Sequence, residues 1–120
     1  MAHTQSEENY LKAIYSLSVD TDTPVSTNAL AERLQTQASS VTDMVKKLAD
    51  KKLVAYQKYQ GVQLTEGGLH SALKVIRKHR LWETFLVEKL HFGWDEVHDM
   101  AEQLEHVQAP ELTERLNSFL

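Results

Sequence analysis

The stretch VHDMAEQLEHV, Val97 to Val107, places two histidines and three acidic residues within eleven positions. Imidazole nitrogen and carboxylate oxygen are donors that hold divalent cations. On a helix, at about 100° per residue with His98 set to zero, Glu102 lies near 40°, Glu105 near −20° and His106 near 80°. The four share an arc of roughly 100°, while Met100, Ala101, Leu104 and Val107 fall on the opposite side. One face is therefore apolar and the other is a strip of carboxylate and imidazole. Upstream, His79 and Glu83 are spaced i, i+4 and share a face of their own. Donors projecting from two neighbouring helices are how metal sites in bundles are assembled. The chain has no cysteine, so thiolate sites are excluded and the candidate ions are Mn²⁺, Fe²⁺, Co²⁺, Ni²⁺ or Zn²⁺. The HExxH pattern of zinc proteases does not occur. The plain alternative is a polar face that is simply solvated.

The elements that must position these groups are bounded by the composition. With 120 residues and 42% hydrophobic content the chain can bury a core in one compact domain or two small ones. No apolar run is long enough to span a bilayer and no secretory leader is evident. Together with the absence of cysteine, this reads as a cytoplasmic protein. The net charge of −4 conceals an asymmetry: Met1–Lys78 carries 10 Lys/Arg against 8 Asp/Glu, and His79–Leu120 carries 3 against 9. Four of the six histidines fall in that acidic part. A mildly basic half joined to an acidic, histidine-rich half suggests two different partners.

Hydrophobic periodicity predicts a helix over Ser6–Ser18, a loop of turn formers over Val19–Pro24, and a short helix capped by Ser26, Thr27 or Asn28. A polar turn at Gln35–Ala38 leads to a second short helix from about Ser39, with Val41, Met44, Val45 and Leu48 on its apolar face. Leu53–Thr65 reads as a β-hairpin turning at Gln60-Gly61. Thr65 can cap a long helix over about Glu66–Leu90. Asp95 can cap another to about Val107, and Pro110 opens a last helix to Phe119. The order predicts a mostly α protein: a winged helix-turn-helix DNA-binding domain over residues 1–72, then a helical dimerisation and metal-binding domain over 73–120.

In a winged helix-turn-helix the second helix of the pair enters the major groove with its N-terminal residues at base edges. The candidates there are Thr36, Gln37, Ser39, Ser40, Thr42 and Asp43, with Thr27 at the start of the first helix of the pair. Gln can bond adenine in a bidentate manner, and Ser or Thr can serve bases or phosphates. Lys46, Lys47, Lys51 and Lys52, with Lys58 in the hairpin, can supply phosphate contacts.

KHRLWETFL and VHDMAEQLEHV, following SSVTDMVKKLADKKLV and GVQLTEGG, resemble the diphtheria toxin repressor family from SEENYLKAIYSL to the last helix. That family comprises iron- or manganese-activated winged-helix repressors. The resemblance implies a homodimer on palindromic, double-stranded operator DNA that silences metal-uptake genes when Mn²⁺ or Fe²⁺ is bound, with no membrane, no small organic substrate and no enzymatic activity. It assigns His79, Glu83 and His98 to one metal site, and Glu102, Glu105 and His106 to another. Glutamate at position 102 is the manganese-type residue, where iron-type relatives carry cysteine. The family's ligand on the N-terminal helix, methionine or aspartate in relatives, is Asn9 here, whose amide oxygen is a weak donor. A second manganese-type glutamate is replaced by Lys12, and the usual turn proline by Ala38. Many relatives continue beyond this length into further dimerisation helix or a small domain. Two other classes fit parts of the pattern: a metal-independent or small-molecule-sensing winged-helix regulator, and a metallohydrolase, for which no substrate-pocket signature occurs.

Overall fold

A computed structural model describes residues 3–19, 21 and 23–120. The chain divides into two compact units, one of His3–Leu73 and the other containing Lys74–Leu120. In chain order the elements are α1 (Gln5–Ser18), α2 (Thr27–Leu34), α3 (Ala38–Asp50), β1 (Val54–Gln57), β2 (Gly61–Leu64), α4 (Glu66–Glu88), α5 (Val97–Leu104) and α6 (Pro110–Phe119). The architecture is mostly helical with one two-stranded antiparallel sheet, in winged helix-turn-helix order. No described helix is long and apolar enough to cross a membrane.

Helix α1 begins earlier than its apolar spacing suggests. Thr4 and Glu7 form a reciprocal capping box: the Glu7 N–H donates to Thr4 Oγ1 at 3.1 Å, and the Thr4 N–H donates to Glu7 Oε1 at 2.8 Å. The cap is Thr4, one turn ahead of the acidic pair, and Ser6 lies inside the helix. Tyr10, Leu11 and Ile14 from α1 then join Leu30 of α2, Val41, Val45 and Leu48 of α3, and Val54 and Val62 of the hairpin in one core. The loop expected over Val19–Pro24 includes Asp20 and Asp22, which lie outside the described residues.

Ser26 caps α2, its Oγ accepting from the Ala29 N–H at 3.0 Å. Helix α2 ends on Gln35 in the left-handed region (φ 53°), and the Thr36 N–H returns to the Ala31 carbonyl at 3.0 Å. This satisfies an orphan carbonyl and turns the chain sharply into α3. Helix α3 ends in the same way on Lys52 (φ 63°), with the Leu53 N–H bonded to the Leu48 carbonyl at 3.0 Å.

The hairpin turn differs from its sequence reading by one residue. Gln57 pairs with Gly61, so Lys58–Gln60 form the loop and Gly61 opens β2. The reason is a third strand-like contact: Val25 and Val62 exchange both backbone hydrogen bonds at 2.8 Å. A Cβ on Gly61 would stand 2.7 Å from the Val25 carbonyl oxygen, so only glycine lets that segment approach. Thr65 caps α4 as expected, its Oγ1 accepting from the Gly68 N–H at 3.1 Å while donating to the Lys52 carbonyl at 2.7 Å. Gly68 lies so close to the Leu53 backbone that a Cβ there would overlap its carbonyl. The first turns of α4 are thereby anchored to the root of the wing.

In the second unit, α4 ends before His91, which takes a left-handed φ of 64°. Asp95 does not cap α5. A turn joins the Glu96 N–H to the Gly93 carbonyl, and the helix begins two residues after Asp95 and stops at Leu104. Helix α6 spans Pro110–Phe119, with proline in its first turn. Leu86, Val97, Ala101 and Leu116 are buried here, whereas Trp94, Leu90, Leu112 and Phe119 are exposed.

Glu7 is fully buried, and Lys51 Nζ reaches its Oε2 at 2.6 Å with Lys47 at 3.9 Å. Burial pushes the Glu7 carboxyl up, but the Lys51 hydrogen bond, the Thr4 N–H and the two lysine charges outweigh it and hold it at about 2, from 4.5. The folded value is the lower one. Its stabilisation is therefore complete above about pH 4.5 and is lost as pH falls towards 2. Glu7→Gln should cost about 2–3 kcal/mol at pH 7. In urea unfolding, the gap between wild type and variant should narrow at pH 3; a gap independent of pH would contradict this assignment.

Candidate functional site

Helix α4 carries His79 and Glu83 one turn apart, and α5 brings His98 against them. One donor atom each from His79, Glu83 and His98 lies within 4.8 Å of the others, the single such group of three among the described residues. His79 Nε2 is 3.2 Å from Glu83 Oε2, and His98 Nδ1 is 3.8 Å from that same oxygen. The two imidazoles meet edge to face with centroids 5.0 Å apart.

The opposite edge of His79 decides its orientation. Nδ1 lies 2.6 Å from Glu105 Oε1, and Glu105 is completely buried. A proton on Nδ1 donated to that carboxylate leaves the Nε2 lone pair directed at the Glu83–His98 side. This is the carboxylate–imidazole arrangement that fixes the ring orientation of a metal-binding histidine. The donor set, two imidazoles and a carboxylate with no sulfur, fits a divalent first-row ion.

The strip read from VHDMAEQLEHV is therefore not uniform. His98 and Glu102 stand at its solvent side, 2.8 Å apart. Glu105, at the C-cap of α5, turns inward between His79 and His106, whose Nε2 is 3.6 Å from Glu105 Oε2. Glu102 meets His98, so Glu102, Glu105 and His106 do not gather as the first three do among the described residues. The wheel placed Glu105 on the polar arc correctly, but burial depends on α4 lying over it. Asn9 is half-buried on α1, in the other unit.

In the N-terminal unit the start of α3 presents Gln37, Ser39, Ser40 and Asp43 to solvent, with Thr36 and Thr42 partly covered. Gln37 is the N-cap, yet its side chain makes no capping bond and its amide is left for other partners. The Thr42 hydroxyl donates back to the Ala38 carbonyl at 3.1 Å. Lys46 and Lys58 are exposed. Lys47 and Lys51 are exposed as well, but their ammonium groups reach Glu7. Thr27 is the first residue of α2, beside the capping Ser26. Sequence reasoning missed Glu7 as the group that draws these lysines, although Thr4-x-x-Glu7 carries the capping-box signal.

Residues 3–62 match the family model described as the iron-dependent repressor N-terminal DNA-binding domain. Residues 65–120 match that of the iron-dependent repressor metal-binding and dimerisation domain. A helix-turn-helix-type transcriptional regulator of Methanocaldococcus jannaschii is 38% identical over 117 residues, covering 98% of this chain and 94% of the relative. The iron-dependent repressor IdeR of Mycobacterium tuberculosis is 36% identical over 113 residues, 94% of this chain and 49% of that protein. Among solved structures, a manganese-dependent transcriptional repressor in complex with manganese superposes with a TM-score of 0.84 at 42% identity, covering 93% of this chain and 51% of that one. The chain thus spans nearly all of the archaeal relative but about half of the latter two.

If Glu105 orients His79, replacing it should weaken metal binding without unfolding the unit. For Glu105→Gln, Mn²⁺ affinity measured by calorimetry should fall about 10- to 100-fold with helical circular dichroism retained. Affinity within about twofold of wild type would show that His79 needs no such partner.

Proposed function

This chain belongs to the iron-dependent repressor family, and from that premise we propose that it is a cytoplasmic repressor that binds palindromic operator DNA as a homodimer when loaded with Mn²⁺ or Fe²⁺, controlling metal-homeostasis genes. The observation that carries the reading is the His79–Glu83–His98 group, with His79 set by buried Glu105. Relatives named for iron and for manganese support those two ions, and Co²⁺, Ni²⁺ or Zn²⁺ suit the same donors in vitro. Glu102, Glu105 and His106 are proposed as donors for a second ion. Residues 1–72 serve DNA and residues 73–120 serve metal and the dimer. The exposed Leu90, Trp94, Leu112 and Phe119 supply apolar surface for a symmetric interface.

A bound divalent ion supplies positive charge to a unit in which carboxylates outnumber cations. The residues themselves do the rest. Glu83 and His98 hold α5 to α4 at the site, and Glu105 keeps His79 turned towards them. Helix α4 is continuous from Glu66 to Glu88, so the helix that carries His79 and Glu83 is the one anchored at Gly68 and Thr65 to the wing. Occupancy of the ligand group and the setting of the DNA-reading elements are coupled through that helix. By linkage, DNA then tightens metal binding as metal tightens DNA binding.

In a titration of a palindromic duplex selected by the wild-type protein, Mn²⁺ or Fe²⁺ should raise affinity at least about tenfold over a chelator-treated sample, within the usual range of allosteric coupling. Equal affinity in all three conditions would sink the reading and favour a metal-independent winged-helix regulator. His79→Ala should lose the metal response while keeping basal, salt-sensitive DNA binding.

A further inference from the structure

The string HxxxE occurs twice in the second unit, as His79–Glu83 on α4 and as His98–Glu102 on α5. At i, i+4 each histidine meets the carboxylate of its own helix, yet the two pairs are built differently. His79 Nε2 lies 3.2 Å from Glu83 Oε2, on the side shared with His98, and its Nδ1 is taken by buried Glu105. His98 is the reverse. Its Nε2 lies 2.8 Å from Glu102 Oε1, and it is Nδ1 that faces Glu83, at 3.8 Å.

The His98 side chain is 60% exposed and that of Glu102 49%. A pair so open to water contributes little to stability. What it can do is choose an orientation. The terminal torsion of a histidine has two broad wells, about 180° apart. One presents Nδ1 of His98 to Glu83. The other presents the Cδ2 carbon, which cannot hold an ion. The edge-to-face contact with His79, centroids 5.0 Å apart, barely tells nitrogen from carbon. An Nε2–H donated to Glu102 does, because a flipped ring turns Cε1 to that carboxylate instead.

We infer that Glu102 is a positioning residue for the His79–Glu83–His98 group, holding His98 with Nδ1 forward as Glu105 holds His79 with Nε2 forward. Each imidazole then has a carboxylate behind it, with Glu83 between the two rings, and the rings offer nitrogens of opposite kind. Outer carboxylates of this sort fix both the tautomer and the direction of a metal-binding histidine. The inference rests on the metal-binding reading above and goes beyond it. The role proposed there for Glu102 is that of a donor to a second ion; here it serves the first ion, through His98. The same HxxxE spacing thus does two jobs: on α4 its glutamate is a ligand, and on α5 its glutamate aims one.

The test measures Mn²⁺ affinity by calorimetry on the full chain carrying His106→Ala, which removes a donor proposed for the second ion. Adding Glu102→Ala should lower affinity about tenfold, the lower end of what loss of such a partner costs, and leave the urea midpoint unchanged. Glu102→Gln should stay within about threefold, because a charge screened by water counts for little and the amide oxygen still accepts from Nε2–H. Once His98→Ala has removed the ring, Glu102→Ala should cost nothing further. With Zn²⁺, nitrogen-15 spectra of the wild type should show His98 metallated at Nδ1 and protonated at Nε2. Affinity of the Ala variant within about twofold of its parent, an equal loss with and without His98, or a metallated Nε2 would overturn the inference. Equal losses in the Ala and Gln variants, or early unfolding of both, would overturn it likewise, by marking a role for the charge or for the fold. A wild-type chain that binds no Mn²⁺ would overturn the metal-binding reading first and this inference with it.

Discussion

Two fully buried carboxylates, Glu7 and Glu105, constrain much of the molecule, because a charge removed from water must be given partners. Glu105 is met by His79 Nδ1 at 2.6 Å and by His106 at 3.6 Å. That pairing leaves the other edge of His79 towards Glu83, and Glu83 in turn is approached by His98. The ligand group is thus organised from its buried end outward. Glu105, which the resemblance assigns to a second ion, is the hydrogen-bond partner of a histidine that it assigns to the first.

Glu7 plays the corresponding part in the N-terminal unit. It closes the capping box of α1 and draws Lys51 and Lys47 from the C-terminal end of α3. A cluster that looks like one basic patch in sequence is therefore divided by a buried acid. Lys46, Lys47, Lys51 and Lys58 are all exposed, but Lys47 and Lys51 also tie α3 to α1 through Glu7. Helix α4, Glu66–Glu88, carries residues of both units. At 23 residues it is about 35 Å long. Its first turns are pinned to the wing by Thr65 and by the close approach at Gly68, and His79 and Glu83 follow on later turns.

Elements whose boundaries are set by local chemistry were legible in the sequence. Pro110 opens α6 where its missing N–H does no harm, Thr65 caps α4, and Val41, Val45 and Leu48 mark the buried face of α3. The departures occur where distant chain intervenes. Gly61 reads as a turn residue, yet it opens β2 because Val25 lies against it, and the left-handed position falls on Tyr59 instead. Asp95 reads as a cap, but the turn from Gly93 to Glu96 delays α5. The apolar spacing of α1 pointed to Ser6, whereas Thr4 and Glu7 satisfy the first turn together.

By itself the sequence determined which residue types were available and which could share a face, since helical spacing and the absence of cysteine are properties of the chain alone. It was enough to name every member of the His79–Glu83–His98 group. Only the tertiary structure decided that Glu105 is buried rather than solvated, that its carboxylate lies between His79 and His106, and that Glu102 meets His98. The physical reason is that a helical wheel gives direction around an axis and nothing of what lies across from it. Burial, and with it the obligation of a charge to find a partner, arises only when α4 and α5 pack against each other.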